Sequence, residues 1–188
     1  MPKNTQRGFT LIEVLIATAL MASIAIGVAQ LLGIAVAAGH AARVQTSTTI
    51  LAAGKLEELR SLVWTYEPLA AGAVPRSDLT TDLSVEPASS SGPGLAPSPS
   101  GTLSTNMPPY VDYLDSRGRW VGNGSSVPPD AMFIRRWSIL PLPAAPDRAL
   151  VLSVLATTVA QELARGQPWT HPSGQEALLV TLNTRKGR

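Results

Sequence analysis

Hydrophobic and polar positions divide the chain into two parts. From Val14 to Ala38 no charged residue occurs across 25 positions, and only Thr18, Ser23 and Gln30 interrupt the apolar run. A helix over that run is roughly 37 Å long at about 1.5 Å per residue, enough to cross a hydrocarbon core of about 30 Å. Beyond it the pattern becomes two-faced. Ile50, Leu51, Leu56, Leu59, Leu62, Val63 and Tyr66 recur at spacings of three and four, while Lys55, Glu57, Glu58 and Arg60 fill the other faces. This predicts an amphipathic continuation of the same helix over 40–67, one face turned to a soluble core, stopped by Pro68. From Phe9 to Tyr66 such a helix is roughly 85 Å long.

After the helix the period shortens. Glu86 to Pro109 is rich in Pro, Ser and Gly and has no apolar periodicity. It is expected to be an exposed loop or flexible insertion, because it has little to bury against the entropy of ordering. Strand patterns follow. Tyr110–Leu114 and Arg119–Val121 flank the turn signal Asp115-Ser116-Arg117-Gly118. Met132–Leu140, Leu150–Val159 and Ala177–Leu182 are apolar and β-branched, with Pro141, Pro143 and Pro146 separating two of them. The order predicts an α+β chain: a long N-terminal helix and a small antiparallel sheet of three to five strands, over 68–188.

Composition excludes several chemistries. The chain has no cysteine, so a disulfide, a thiol nucleophile or a Cys-based zinc site is ruled out. The only histidines are His40 and His171, with no pair at ligand spacing, and no G-x-S-x-G sequence occurs. Gly122-Asn123-Gly124 lacks the third glycine of a phosphate loop and reads as a turn. The expectation is no enzyme, no cofactor and no metal. Net charge is +2; without Lys3 and Arg7, Lys+Arg falls from 15 to 13, equal to the 13 acidic residues. A neutral chain lacks the general electrostatic footprint of a nucleic-acid binder. Arg119-Trp120 and Arg135-Arg136-Trp137 could grip single-stranded nucleic acid. The expected alternative is a sheet with Trp in the core and Arg on the wet side.

Glu13 is the anomaly. A charged side chain in hydrocarbon costs about 2.5–3.5 kcal/mol on insertion scales. A cleaved secretory signal offers one reading, with Ala35-Val36-Ala37 as its cleavage site. The apolar region is longer than the roughly 7–15 residues of such a signal's core. Arg7-Gly8-Phe9-Thr10-Leu11-Ile12-Glu13-Val14-Leu15 resembles the cleavage and methylation signature of type IV pilins and pseudopilins. Ala52-Ala53-Gly54-Lys55-Leu56-Glu57-Glu58-Leu59-Arg60 also resembles minor pilins of the modification-protein kind and minor pseudopilins of type II secretion.

The resemblance implies a pilin-like fold, with residues 1–8 as a leader cut between Gly8 and Phe9 by a prepilin peptidase/N-methyltransferase. It implies N-methylation of Phe9, a membrane and assembly helix over 9–39, and Glu13 as an assembly residue facing the new amine of a neighbouring subunit. It implies a single-pass protein of the cytoplasmic membrane, N-terminus inside and head outside, in an extracellular or periplasmic fibre. Implied partners are other minor pilins, the major pilin and the assembly platform. The expected function is a minor pilin that assembles or primes a type IV pilus. The alternatives are a type II secretion minor pseudopilin, or a membrane-tethered DNA-uptake receptor or other binding domain. Two rows of small residues, Ala25/Ala29/Gly33/Ala37 and Ala19/Ser23/Gly27, fit close helix approach in a membrane. Many major pilins carry a proline partway along this helix, where this chain has Gln30.

Overall fold

The computed structural model describes residues 9–66, 76–165 and 176–185. The expected leader with Gly8, the stop at Pro68, and His171 lie outside the described residues. Helix α1 spans Leu11–Ser61. It is followed by β1 (Val111–Leu114), β2 (Trp120–Gly122), β3 (Phe133–Pro141), β4 (Ala149–Thr158), α2 (Val159–Ala164) and β5 (Ala177–Thr184). The five strands form one sheet in the order β2-β1-β3-β4-β5, every neighbouring pair antiparallel. This is the α+β, pilin-like architecture expected. The chain divides into two compact units, residues 1–42 and 43–188.

In the first unit the large apolar side chains from Phe9 to Val36 are exposed, and the helix that carries them is long and apolar enough to cross a membrane. Thr18 donates its hydroxyl to Leu15 O at 3.0 Å, and Ser23 donates to Ala19 O at 2.9 Å. Both hydroxyls are therefore satisfied by the helix itself, which removes much of the cost of placing them in hydrocarbon.

In the second unit the helical stretch from Arg43 packs on one face of the sheet. Thr48, Ala52, Lys55, Leu56 and Leu59 are its buried residues. Ala52, Leu56 and Leu59 join Trp137, Ile139, Leu150, Leu152 and Val154 in the main core. Leu59 is fully buried, and Leu59→Ala should cost about 2–5 kcal/mol. A urea titration of the protein checks this; a loss well under that range would mean that the helix–sheet seam is not the core. The opposite face of the sheet carries a smaller cluster of Val111, Tyr113, Ala131 and Ile134.

Three expectations need correction. Lys55 is not on an outer face; it is 2% exposed, whereas Ile50, expected in the core, is 64% exposed. The helix ends at Ser61 and not near Tyr66. Val63 to Tyr66 leaves the helix because its backbone is claimed elsewhere: Asp78 N donates to Val63 O at 2.7 Å, and Thr65 N donates to the Ser77 hydroxyl at 3.1 Å. The Glu86–Pro109 stretch is not simply exposed. Leu95 is fully buried in the main core and Thr102 is 1% exposed. Ser98 exchanges bonds with Ile139 on β3: its N–H donates to Ile139 O at 2.8 Å, and its hydroxyl accepts from Ile139 N at 3.0 Å. Leu95 and the exchange between Ser98 and Ile139 help anchor a loop whose composition points to solvent.

Side-chain acids organise the turns. Asp115 Oδ1 accepts from the backbone N–H of Arg117 and Arg119 at 2.8 and 2.9 Å, and Gly118 takes φ 76°, the left-handed conformation that the tight turn requires. Asp78 accepts from Thr80 N, Thr81 N and the Thr81 hydroxyl at 3.1, 3.0 and 2.7 Å. Burial alone would raise its carboxyl pKa, but these three bonds outweigh burial and hold it below the ordinary value. A folded-state pKa below the unfolded one adds stability above the ordinary carboxylate range, lost as pH falls through the folded value. Asp78→Asn should therefore flatten the acid limb of the stability curve below about pH 4. An acid transition identical to that of the parent chain would contradict the role given to Asp78.

Candidate functional site

Two places hold charge where hydrocarbon or protein should disfavour it. The first is the N-terminal end of α1. Thr10 O accepts from Glu13 N at 3.1 Å and from Val14 N at 3.3 Å, which starts the helix just after Phe9. Glu13 lies in the first turn, where exposed amide N–H groups and the helix dipole favour a carboxylate. Phe9, Glu13, Ala17 and Met21 succeed one another every four residues, and with Val14 and Thr18 they line a shallow depression of about 380 Å³ on one side of the helix. Phe9 and Leu11 are more than four-fifths exposed.

Glu13 is the single charged residue from Phe9 to Ala42. From Phe9 to Ala42 the chain thus offers its carboxylate no lysine or arginine. A free α-amine on Phe9 would carry a positive charge near neutral pH, its ordinary pKa being about 7.7–8.0. Helix α1 runs unbroken through Ala35-Val36-Ala37, and no side chain or other backbone approaches the Cβ positions of Gly27, Gly33 or Gly39. These glycines leave room for a neighbouring helix to come close.

The second place is buried in the second unit, and sequence reasoning missed it. Asp112 on β1 has no exposed surface. Arg135, its partner in the β1–β3 register, forks it with Nε to Oδ1 at 2.8 Å and Nη2 to Oδ2 at 2.7 Å. Lys55 Nζ approaches the same Oδ2 at 3.0 Å, and donates to Glu58 Oε2 at 2.5 Å and to Leu83 O at 2.7 Å. The ammonium also sits 4.9 Å from the centre of the Trp137 ring. Two buried cations meet the buried Asp112 carboxylate and the half-exposed Glu58 carboxylate, and this balance makes the burial of Lys55, Arg135 and Asp112 tolerable. Trp137 is in the core as expected, but Arg135 and Arg136 are not on the wet side.

Arg136 is 2% exposed and lies on the opposite face of the sheet. Its Nε and Nη2 donate to Asn106 Oδ1 at 2.9 and 2.6 Å, and Nη2 donates to Glu162 Oε1 on α2 at 2.8 Å. The pair pins the 86–109 loop and α2 onto β3. Burial raises the pKa of the Tyr113 phenol beside it, an effect the Arg136 charge opposes. Neither arginine is placed as a surface cation for nucleic acid. Arg185 stacks over Trp64 with its guanidinium 4.3 Å from the ring centre. Among the described residues no group of three or more His, Cys, Asp or Glu could hold a metal.

Residues 3–29 match the family model described as the prokaryotic N-terminal methylation motif, which marks type IV pilin-like proteins. No curated protein and no solved structure matches the chain. The match covers Gly8, Phe9 and Glu13 and ends well before the sheet. Helix α1, which begins within the matched segment, is long and apolar enough to cross a membrane.

Proposed function

We propose that the protein is a minor pilin that takes part in assembling or priming a type IV pilus, through side-by-side packing of its N-terminal helix. One observation carries this reading: a single carboxylate, one turn from Phe9, on a bare apolar helix that supplies it no cation. The methylation motif supports cutting between Gly8 and Phe9 and methylation of the new Phe9 amine. Glu13 then pairs with the amine of a neighbouring subunit and sets its register. The role is structural and not catalytic. It calls on a prepilin peptidase/N-methyltransferase, other minor pilins, a major pilin and an assembly platform in the cytoplasmic membrane, with the head outside.

A secretion pseudopilus would use the same N-terminal chemistry, so the fibre is identified by what its loss removes. Deleting the gene should abolish surface fibres and leave export of folded proteins intact. Normal fibres with blocked export would assign the chain to a pseudopilus instead. The DNA-receptor reading loses its best-placed cations, because Arg135 and Arg136 are committed to Asp112, Asn106 and Glu162.

A further inference from the structure

Beside the buried ion cluster lies an open-mouthed cavity of about 160 Å³, bounded by α1, β1, β2, β3 and the chain from Leu83 to Ala88. Its floor is built from charged groups that are more than nine-tenths buried: the side chains of Lys55, Asp112 and Arg135 are 3%, 0% and 8% exposed. Their hydrogen-bonding capacity is unevenly used. Lys55 Nζ donates to Glu58 and to Leu83 O and pairs in charge with Asp112 Oδ2 at 3.0 Å. Arg135 spends only the Nε/Nη2 edge of its guanidinium on Asp112. The other edge, Nη1 with the second hydrogen of Nη2, has no partner among the described residues.

A guanidinium edge presents two parallel donors that match a carboxylate. The apolar part of the lining comes from Leu83, Val85, Ala88 and Trp120. That ring is held in place by its N–H, which donates to Ser84 O at 2.8 Å. We propose that the cavity is a binding site for a small carboxylate, which the free edge of Arg135 holds while Trp120 and the 83–88 chain enclose its apolar body. The site is independent of the N-terminal assembly chemistry. Lys55, Arg135, Asp112 and Glu58 sum to zero, so the cluster neither strongly attracts nor repels an anion at long range. Glu86, exposed at the rim, opposes it. The acid comes either as a free molecule or as a side chain or terminus of a neighbouring protein chain.

Calorimetric titration of the mature full-length chain in detergent with propionate tests the site, with propionamide as the neutral match in shape. Propionate should bind saturably, and propionamide about tenfold or more weaker. Glu86→Gln, a surface change that leaves the buried cluster intact, should tighten propionate binding about two- to fivefold. Sedimentation with and without propionate identifies the source. Self-association that dissolves in propionate places a neighbouring chain's carboxylate in the cavity, and binding without such a change assigns it to a free acid. No saturable heat, equal affinity for propionamide, or no response to Glu86→Gln overturns the proposal.

Discussion

Glu13→Ala is expected to be cut and methylated normally yet to reach the fibre about a hundredfold less often than the parent chain. In the membrane the carboxylate carries a penalty of about 2.5–3.5 kcal/mol at full depth. In the proposed role, pairing with an amine in the fibre relieves it, and each 1.4 kcal/mol is about a factor of ten in population. Alanine removes both the penalty and its relief, so the subunit gains nothing electrostatic by leaving the bilayer. The neighbour's amine is then left unpaired. Quantifying the subunit in sheared fibres against the membrane fraction measures the ratio. A Glu13→Ala subunit found in fibres at parental levels would mean that the carboxylate merely caps the helix N-terminus, an interaction typically worth about 0.3–1 kcal/mol.

Asp112→Ala should be the most damaging single change in the head. It leaves Lys55 and Arg135, both more than nine-tenths buried, without the carboxylate that joins them. Breaking a buried ion pair from one side costs about 3–5 kcal/mol, a large part of the roughly 5–15 kcal/mol that holds a domain together. Lys55→Met should cost less, because Arg135 keeps its fork on Asp112 and the methionine stem can still pack on Trp137. Urea titration followed by tryptophan fluorescence would rank the two. If Asp112→Ala lost under about 1 kcal/mol, the cluster would have to be more hydrated than its burial implies.

Much of the sheet could be read from the sequence, because turn formers separate its strands. The apolar run Met132–Leu140 became β3 one residue later, and Leu150–Val159 became β4 one residue earlier. Asp115 to Gly118 formed the tight turn its residues demand. The short helix α2 was missed, since Val159 continued a β-branched run. Its signal was Thr158 three residues before Gln161, where the Thr158 hydroxyl accepts from Gln161 N at 3.2 Å.

Polarity misled the reading where position should have ruled. Thr48, Ala52, Lys55 and Leu59 follow spacings of four, three and four, so Lys55 sits squarely in the buried stripe. Its charge argued for the surface because Asp112, its partner, lies 57 positions on in the chain. The same holds for Arg135 and Arg136, whose carboxylates come from β1 and α2. A carboxylate partner far along the chain leaves no local trace. At the N-terminus the chemistry is local, and basic residue, glycine, phenylalanine and glutamate fall within seven positions.

Intact-mass and N-terminal analysis of the protein purified from its host tests the central claim most directly. The expected product begins at Phe9, lacks residues 1–8 and carries one added methyl group. A chain that still begins at Met1, or one cut after Ala37 and stripped of its apolar helix, would contradict it.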